Sequence, residues 1–300
     1  MARDGLLIID KPAGPTSHDV VQRVRKALGT SRVGHGGTLD PDATGVLLVA
    51  VGQATRFFPF LVKEAKSYDG RIRLGFSTDT YDASGRPDSE ESRDWPGPER
   101  LAAAMKSFEG EILQTPPRFS AKKRGGRPAY RMARAEEAFS LEPVPVMVTR
   151  FGLRAYDPPF IDFEAECSAG TYIRSLAHDL GRLLGCGAHV GTLRRTAVGP
   201  YVLADAVPLA VLEEEAGRGE ADRRLLPVET LLPEAPALVV RPEAEARVGH
   251  GSVLGPAALE AAAVPGEAPV VRLFSPSGRL LALARPLADG SGFHPFLVLA

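Results

Sequence analysis

The segment that most constrains this chain is Gly34 to Gly45, GHGGTLDPDATG, which lies between a helical pattern and an apolar run. Its glycines and turn residues are too dense for a regular element, so the sequence predicts a loop there. Proline at 41 pushes Asp40 towards an extended backbone, and the neighbouring glycines allow another molecule to come close. By itself, Asp40-Pro41 is more often the signature of a turn. Either way the loop must be framed. Gly5 to Asp10 reads as a strand, and Val46 to Val51 as a second. Between them, Ser17 can cap a helix with Val20, Val21, Val24, Ala27 and Leu28 on one face, Arg25 and Lys26 near its end and Gly29 as its stop.

Further along, Tyr68, Ile72, Leu74 and Phe76 share one face of a strand, with Arg71 and Arg73 on the other. Pro98 opens a helix carrying Leu101, Met105 and Phe108, which Gly110 closes. Ile161 to Cys167 alternates as a half-exposed strand, and Ala169-Gly170 turns into a helix with Ile173, Leu176, Ala177, Leu180, Leu183 and Leu184 inward. Tyr172 and Arg174 fall in its first turn, a rigid support for functional side chains. Charge and proline between Glu213 and Pro236 mark a boundary. Ala237–Arg241, Val270–Phe274, Arg279–Ala284 and Pro295–Leu299 then read as short strands, with a hairpin turn at Ser275–Gly278. We expect two domains, residues 1–232 and 237–300, the second small and β-rich.

Net charge is −1, with 36 basic against 37 acidic residues, yet phosphate affinity depends on local charge. Arg118 to Arg134, RFSAKKRGGRPAYRMAR, carries Arg118, Lys122, Lys123, Arg124, Arg127, Arg131 and Arg134 without an acid. Its prolines and glycines predict an irregular excursion, placed at about 115–145, that is either a solvated charge run or a phosphate-binding surface. Two cysteines are too few for a disulfide scaffold, and the longest apolar run falls far short of a membrane span. A cytoplasmic protein without a membrane anchor is expected, and nothing demands more than a monomer.

Neither G-x-G-x-x-G nor G-x-x-x-x-G-K-[ST] occurs, which argues against NAD and ATP. Ser17, His18 and Asp19 name a hydrolase triad, but consecutive helical residues point about 100° apart and do not converge. Cys186, His189 and His178-Asp179 lack the companions of a metal site and read as ordinary buried or surface groups.

The stretch Gly34–Gly45 resembles the signature GHxGxLDPxATG of the TruB family of tRNA pseudouridine synthases. Three further segments follow in that family's order: LLIIDKPAGPTSHD, KSYDGRIRLGFSTDTYDASG and CSAGTYIRSLAHDLGRLLGCGAHVGTLRR. The resemblance covers residues 5 to 200 and extends more weakly to the C-terminal segment, which looks like the family's PUA module and by that likeness is a small β-barrel. It implies an α+β catalytic domain on a mixed, largely antiparallel sheet flanked by helices. It also implies isomerisation of uridine 55 in the tRNA T-loop, without redox cofactor, nucleotide or metal.

By the same resemblance Asp40 is the catalytic nucleophile and Arg174 its orienting partner, while Tyr68 stacks on the base and assists at C5. Tyr172 and Leu193 line the uracil pocket, His35 fills the space of the flipped nucleotide, and Lys11 supports the loop or the pocket. The basic excursion grips the tRNA phosphates, with Tyr130 available for stacking. Asp69-Gly70 departs from the bulkier or basic residues of relatives and softens its strand. The rival readings are a non-catalytic RNA-binding or RNA-folding protein, an N-glycosidase releasing uracil, and a synthase acting on another RNA.

Overall fold

A computed structural model describes residues 3–120, 122–135, 137–260 and 268–299. Its centre is a ten-stranded sheet of β1 (Gly5–Lys11), β2 (Val33–Gly36), β3 (Thr44–Val51), β4 (Lys66–Leu74), β5 (Gly110–Gln114), β6 (Val144–Asp157), β7 (Phe160–Cys167), β8 (Ala188–Val198), β9 (Tyr201–Val202) and β10 (Val207–Pro208). The main path runs β10-β1-β3-β8-β4-β7-β6-β5, with β2 paired to β3 and β9 to β8. All its pairings are antiparallel except β1 with β10 and β3 with β8.

The apolar runs at both ends of the glycine-rich loop have a direct cause. On β1 and β3, Leu7, Ile9, Leu47, Val49 and Val51 pack against α1 (Ser17–Leu28) and α5 (Leu209–Gly217). The alternate residues Leu6, Ile8, Val46, Leu48 and Ala50 pack against Phe57, Leu61 and Tyr201, and against Leu280, Leu283 and Leu297 from the C-terminal sheet. A strand covered on both faces has no polar face, so it reads as one continuous apolar run. Each large aliphatic side chain buried in this way contributes about 1.5–3 kcal/mol.

Helices α2 (Pro98–Lys106) and α4 (Ile173–Leu184) bury Leu101, Met105, Leu176 and Leu180 against Tyr68, Ile72, Phe151 and Phe163. Helix α2 stops at Lys106, one turn before Gly110, which instead opens β5 with φ +100°. Gly70 does not weaken β4: a Cβ there would lie 2.8 Å from the Phe163 ring, so the aromatic fills the missing side chain's space. Asp69 pairs with Arg154 at 2.8 Å.

Two local expectations are corrected. Thr16, not Ser17, caps α1, because Thr16 and Asp19 satisfy each other's backbone amides in a capping box. The first residues of the glycine-rich segment are strand β2, not loop, because Gly34 and Gly36 have no side chains to keep them off the Phe58 ring. The irregular part is Gly37 to Ala43.

The C-terminal strands β11 (Ala237–Val239), β12 (Val271–Phe274), β13 (Leu280–Pro286) and β14 (Phe293–Val298) form a separate sheet in that order. Arg272 fastens it to the linker by donating to the carbonyls of Ala235 at 2.9 Å and Pro233 at 3.3 Å. Part of the alanine-rich stretch, from 261 to 264, lies outside the described residues. No described helix is long and apolar enough to cross a membrane.

One glycine is indispensable to the frame. Gly45 has φ +97°, and a Cβ would sit 2.1 Å from the Arg195 carbonyl oxygen, its neighbour in the parallel β3–β8 pairing. Gly45→Ala is expected to lower unfolding free energy by at least about 2 kcal/mol. Gly14→Ala is the control, with φ +105° but open space around it, and a loss nearer about 1 kcal/mol. Equal denaturation midpoints for the two variants would show that the contact with β8 carries no energy.

Candidate active site

The irregular segment is pinned from behind by buried polar side chains. Ser17 Oγ donates to the Leu39 carbonyl at 3.0 Å and accepts from the Leu39 amide at 2.9 Å, so position 17 serves the loop rather than its helix. Lys11, fully buried, spends its ammonium on the carbonyls of Pro12, Pro41 and Ala43 at 2.8–2.9 Å. Arg195, also buried, donates to Val46 O at 2.7 Å and to Gly37 O at 2.9 Å. The Ala43 amide closes a turn on Asp40 O at 3.1 Å. Asp40 is therefore presented on a rigid backbone.

Its carboxylate meets Arg174 in a two-pronged pair, Nε to Oδ2 at 2.9 Å and Nη2 to Oδ1 at 3.2 Å. The Arg174 side chain is 7% exposed and that of Asp40 42%, so the aspartate is the member that a substrate can touch. Burial of the site pushes the Asp40 carboxyl above the ordinary carboxylate range; Arg174 and Lys11 pull it back, and Asp82 and Asp42 oppose them. The guanidinium has further fixed partners: Nη1 donates to Thr80 O at 2.9 Å, Nη2 donates to Phe119 O at 2.9 Å, and Asp82 Oδ2 lies 3.4 Å from Nη1. A fork held in this way orients a carboxylate as a single point charge does not.

Tyr172 is the residue before α4. Gln114, almost fully buried at the end of β5, accepts from its amide at 2.8 Å and donates to its carbonyl at 3.1 Å. Ser175 Oγ donates to Thr115 O at 2.8 Å, which moors the same turn. Tyr68 is buried on β4 opposite Arg195 of β8; burial raises its phenol and the nearby guanidinium opposes the rise. Leu193 is half-buried and touches the core clusters beneath both α1 and α4. His35 lies between two glycines that face Phe58, so it points to the opposite face. Its Nδ1 is buried without a hydrogen-bond partner among the described residues, and burial lowers its pKa, with His18 and Arg195 acting in the same direction.

Lys11 stands beneath the loop with its three donors engaged, so of its two expected roles the geometry favours support of the loop over contact with a base. Its pKa is lowered to about 8, chiefly by burial. Raising the pH through that value neutralises the clamp, and kcat/KM is expected to fall there. Stability behaves differently. Lysine in the unfolded chain titrates near about 10.4, so in between the folded state binds fewer protons and Lys11 costs no stability as pH rises. Activity that stayed flat to about pH 9.5 would show that the charge on Lys11 is not needed.

The basic excursion is more ordered than expected. It holds a small hairpin, Lys123–Arg124 with Arg127–Pro128, and helix α3 (Ala129–Arg134). Arg127 pairs with Glu137 through both nitrogens, at 2.7 and 3.1 Å, and Arg118 donates to Glu137 O while lying over Phe139. Those two arginines brace the excursion and are themselves exposed, as are Lys122, Arg124 and Arg131; the side chain of Lys123 lies outside the described part. Arg131 and Arg134 lie 6.0 and 5.7 Å from the ring centre of Tyr130, so this ring is already engaged. Sequence reasoning missed Gln114, Thr80, Asp82 and Arg195. The signal available for Arg195 was its place in LRR beside Leu193, and for Thr80 and Asp82 their place in the segment KSYDGRIRLGFSTDTYDASG; Gln114 carries none apart from the fold.

His189 Nδ1 donates to the Phe76 carbonyl at 3.0 Å and the imidazole packs on the Phe76 ring, while Cys167 and Cys186 are free and buried.

Residues 25–173 match the family description "TruB family pseudouridylate synthase (N terminal domain)", and residues 174–233 match "tRNA pseudouridylate synthase B C-terminal domain". The tRNA pseudouridine synthase B of Solibacter usitatus is 45% identical over 83% of this chain and 85% of its own. That of Thermobifida fusca is 44% identical over 99% of both chains. Among solved structures, an H/ACA RNP bound to a substrate RNA containing 2′-deoxyuridine matches with a TM-score of 0.75 at 27% identity, over 99% of this chain and 85% of the other. A Cbf5-Nop10-Gar1 complex matches equally well, with a TM-score of 0.75 at 29% identity over 99% and 84%. By these matches over nearly its whole length, the chain belongs to the TruB family of tRNA pseudouridine synthases, isomerases that convert uridine to pseudouridine.

Proposed function

We propose that this protein converts uridine 55 in the T-loop of tRNA to pseudouridine, with Asp40 as nucleophile. The observation that carries this reading is the two-pronged pair of Asp40 and Arg174, which leaves the aspartate exposed and the arginine buried. In the reaction the C1′–N1 bond breaks, the uracil turns while held, and C5 joins C1′. The proton lost at C5 is balanced by one gained at N1, so no redox cofactor or metal is required by the stoichiometry. Asp40 supplies the carboxylate, as carboxylates do at glycosidic centres. Arg174 fixes its direction, Tyr68 provides an aromatic wall and a hydroxyl at the base, and Tyr172 and Leu193 border the space in which the base turns.

The uridine must leave its stack to reach C1′, at a cost of a few kcal/mol. His35 is assigned to the space that the nucleotide vacates. Lys122, Arg124 and Arg131, exposed on the excursion, are assigned to the phosphates, together with Lys123 by its place in the sequence; Arg118 and Arg127 act there as braces. The C-terminal sheet is assigned a PUA-like role on the same tRNA, in the cytoplasm, by a single copy of the chain.

The test is an unmodified tRNA transcript incubated with purified protein in EDTA and mapped for pseudouridine at nucleotide resolution. One new pseudouridine, at position 55, supports the reading. A second reading, a synthase acting on another RNA, draws on the likeness to an RNP bound to a substrate RNA. It gains if the T-loop stays unmodified while other RNA acquires pseudouridine.

A further inference from the structure

Arg174 owes part of its position to a turn that is itself held in an unfavourable conformation. Tyr81 has φ +66°, the left-handed region, which an L residue occupies at a cost and glycine occupies freely. Its neighbours are the two that face the arginine: Thr80 gives its carbonyl to Nη1 at 2.9 Å, and Asp82 places Oδ2 3.4 Å away. The other oxygen of Asp82 is saturated within the turn, by Thr80 Oγ1 at 2.7 Å and by the Ser84 amide at 3.0 Å. The Tyr81 ring lies on the imidazole of His178, centroids 3.8 Å apart and planes at 18°. His178 is four residues after Arg174 on α4, so it shares that helix face one turn on. The stack therefore clamps the turn to the same helix that carries the arginine.

We propose that Tyr81 and His178 are positioning residues, a stacked pair that holds the Thr80–Asp82 turn against Arg174 and so keeps the guanidinium aligned on Asp40. Neither needs to touch RNA for this. The contact of Tyr81 with α4 is made by the ring faces, stacked on His178. The charged groups around the imidazole are Asp88, Asp179 and Arg182, and those around Asp40 are Arg174, Lys11, Asp42 and Asp82. Strain at one residue is exchanged for alignment at another.

The inference rests on Asp40 being the catalytic carboxylate, and Asp40→Asn tests that premise separately. Tyr81→Gly relieves the backbone strain while removing the ring, which parts a structural role from a positioning one. Its melting temperature is expected to be unchanged or higher, while single-turnover rate on tRNA falls about ten- to a hundredfold with little change in RNA affinity. The acid limb of its pH–rate profile should move up, because a loosened Arg174 stabilises ionised Asp40 less well. Tyr81→Phe and His178→Phe keep two stacked rings and should retain the wild-type rate and profile. His178→Ala should match Tyr81→Gly, and the double variant should be no slower than either. Wild-type kinetics in Tyr81→Gly, or Tyr81→Phe as slow as Tyr81→Gly, overturns the proposal. If Asp40→Asn remains active, it is the catalytic reading that fails instead.

Discussion

Asp40→Asn is expected to abolish pseudouridine formation, lowering the single-turnover rate by about 10⁴-fold or more, while tRNA binding and folding persist. Asparagine keeps the shape and one acceptor oxygen for Arg174, but it loses the charge and the nucleophile. Arg174 would keep Thr80, Phe119 and Asp82 as partners, so stability should change by less than about 1 kcal/mol. The sign of the residual effect follows from the raised pKa of Asp40. Between the ordinary carboxylate value, about 3.9, and the raised one, the folded chain holds a proton that the unfolded chain has released. Stability contributed by this group is therefore lost as pH rises through the window, and Asp40→Asn removes that slope. The wild-type rate should show the complementary acid limb, above about 3.9, where Asp40 ionises. Pseudouridine mapped after incubation with Asp40→Asn at a rate near wild type would sink the assignment of this residue.

Arg174→Lys should cost about 10²-fold in rate and Arg174→Ala about 10³-fold, with unequal effects on folding. Lysine restores a charge but not the fork, so it cannot hold both carboxylate oxygens and the carbonyls of Thr80 and Phe119 together. Alanine leaves Asp40 without its nearest cation and those carbonyls without their donors. Truncating one partner of such a pair costs about 3–5 kcal/mol when both members are buried. Here Asp40 is partly exposed, which puts the expected loss at the lower end. Because Arg174 is buried, its loss should leave the salt dependence of tRNA binding unaltered, whereas replacing Lys122, Arg124 or Arg131 should weaken binding and flatten that dependence. Arg174→Ala with a wild-type rate, or with a reduced salt slope, would mean that the arginine serves the phosphates rather than Asp40.

Much of the catalytic part was legible along the chain. The strand–helix–loop–strand order around Asp40, the helix that starts at Tyr172 and the strand that carries Tyr68 all follow from periodicity and turn residues, because these are local properties. Where reading failed, a distant group had displaced the local preference. Ser17 looks like a helix cap until Leu39 claims its hydroxyl, and Gly34–Gly36 looks like loop until the Phe58 ring gives two bare glycines a reason to be strand. Gly70 looks like a weakness until Phe163 fills it.

The same division holds for the site. The sequence alone determined the residue types and their local settings: a carboxylate before a proline, an arginine in the first turn of a helix, a lysine at the end of the first strand and a run of basic residues. Their partnerships were decided by the tertiary structure. Asp40 and Arg174 are 134 residues apart, and Lys11, Gln114, Asp82 and Tyr81 acquire roles only through groups that chain folding brings beside them. The physical reason is that an ionised or strained side chain is set by its burial and by the few donors and acceptors within about 3 Å, and neither is a property of the neighbouring sequence.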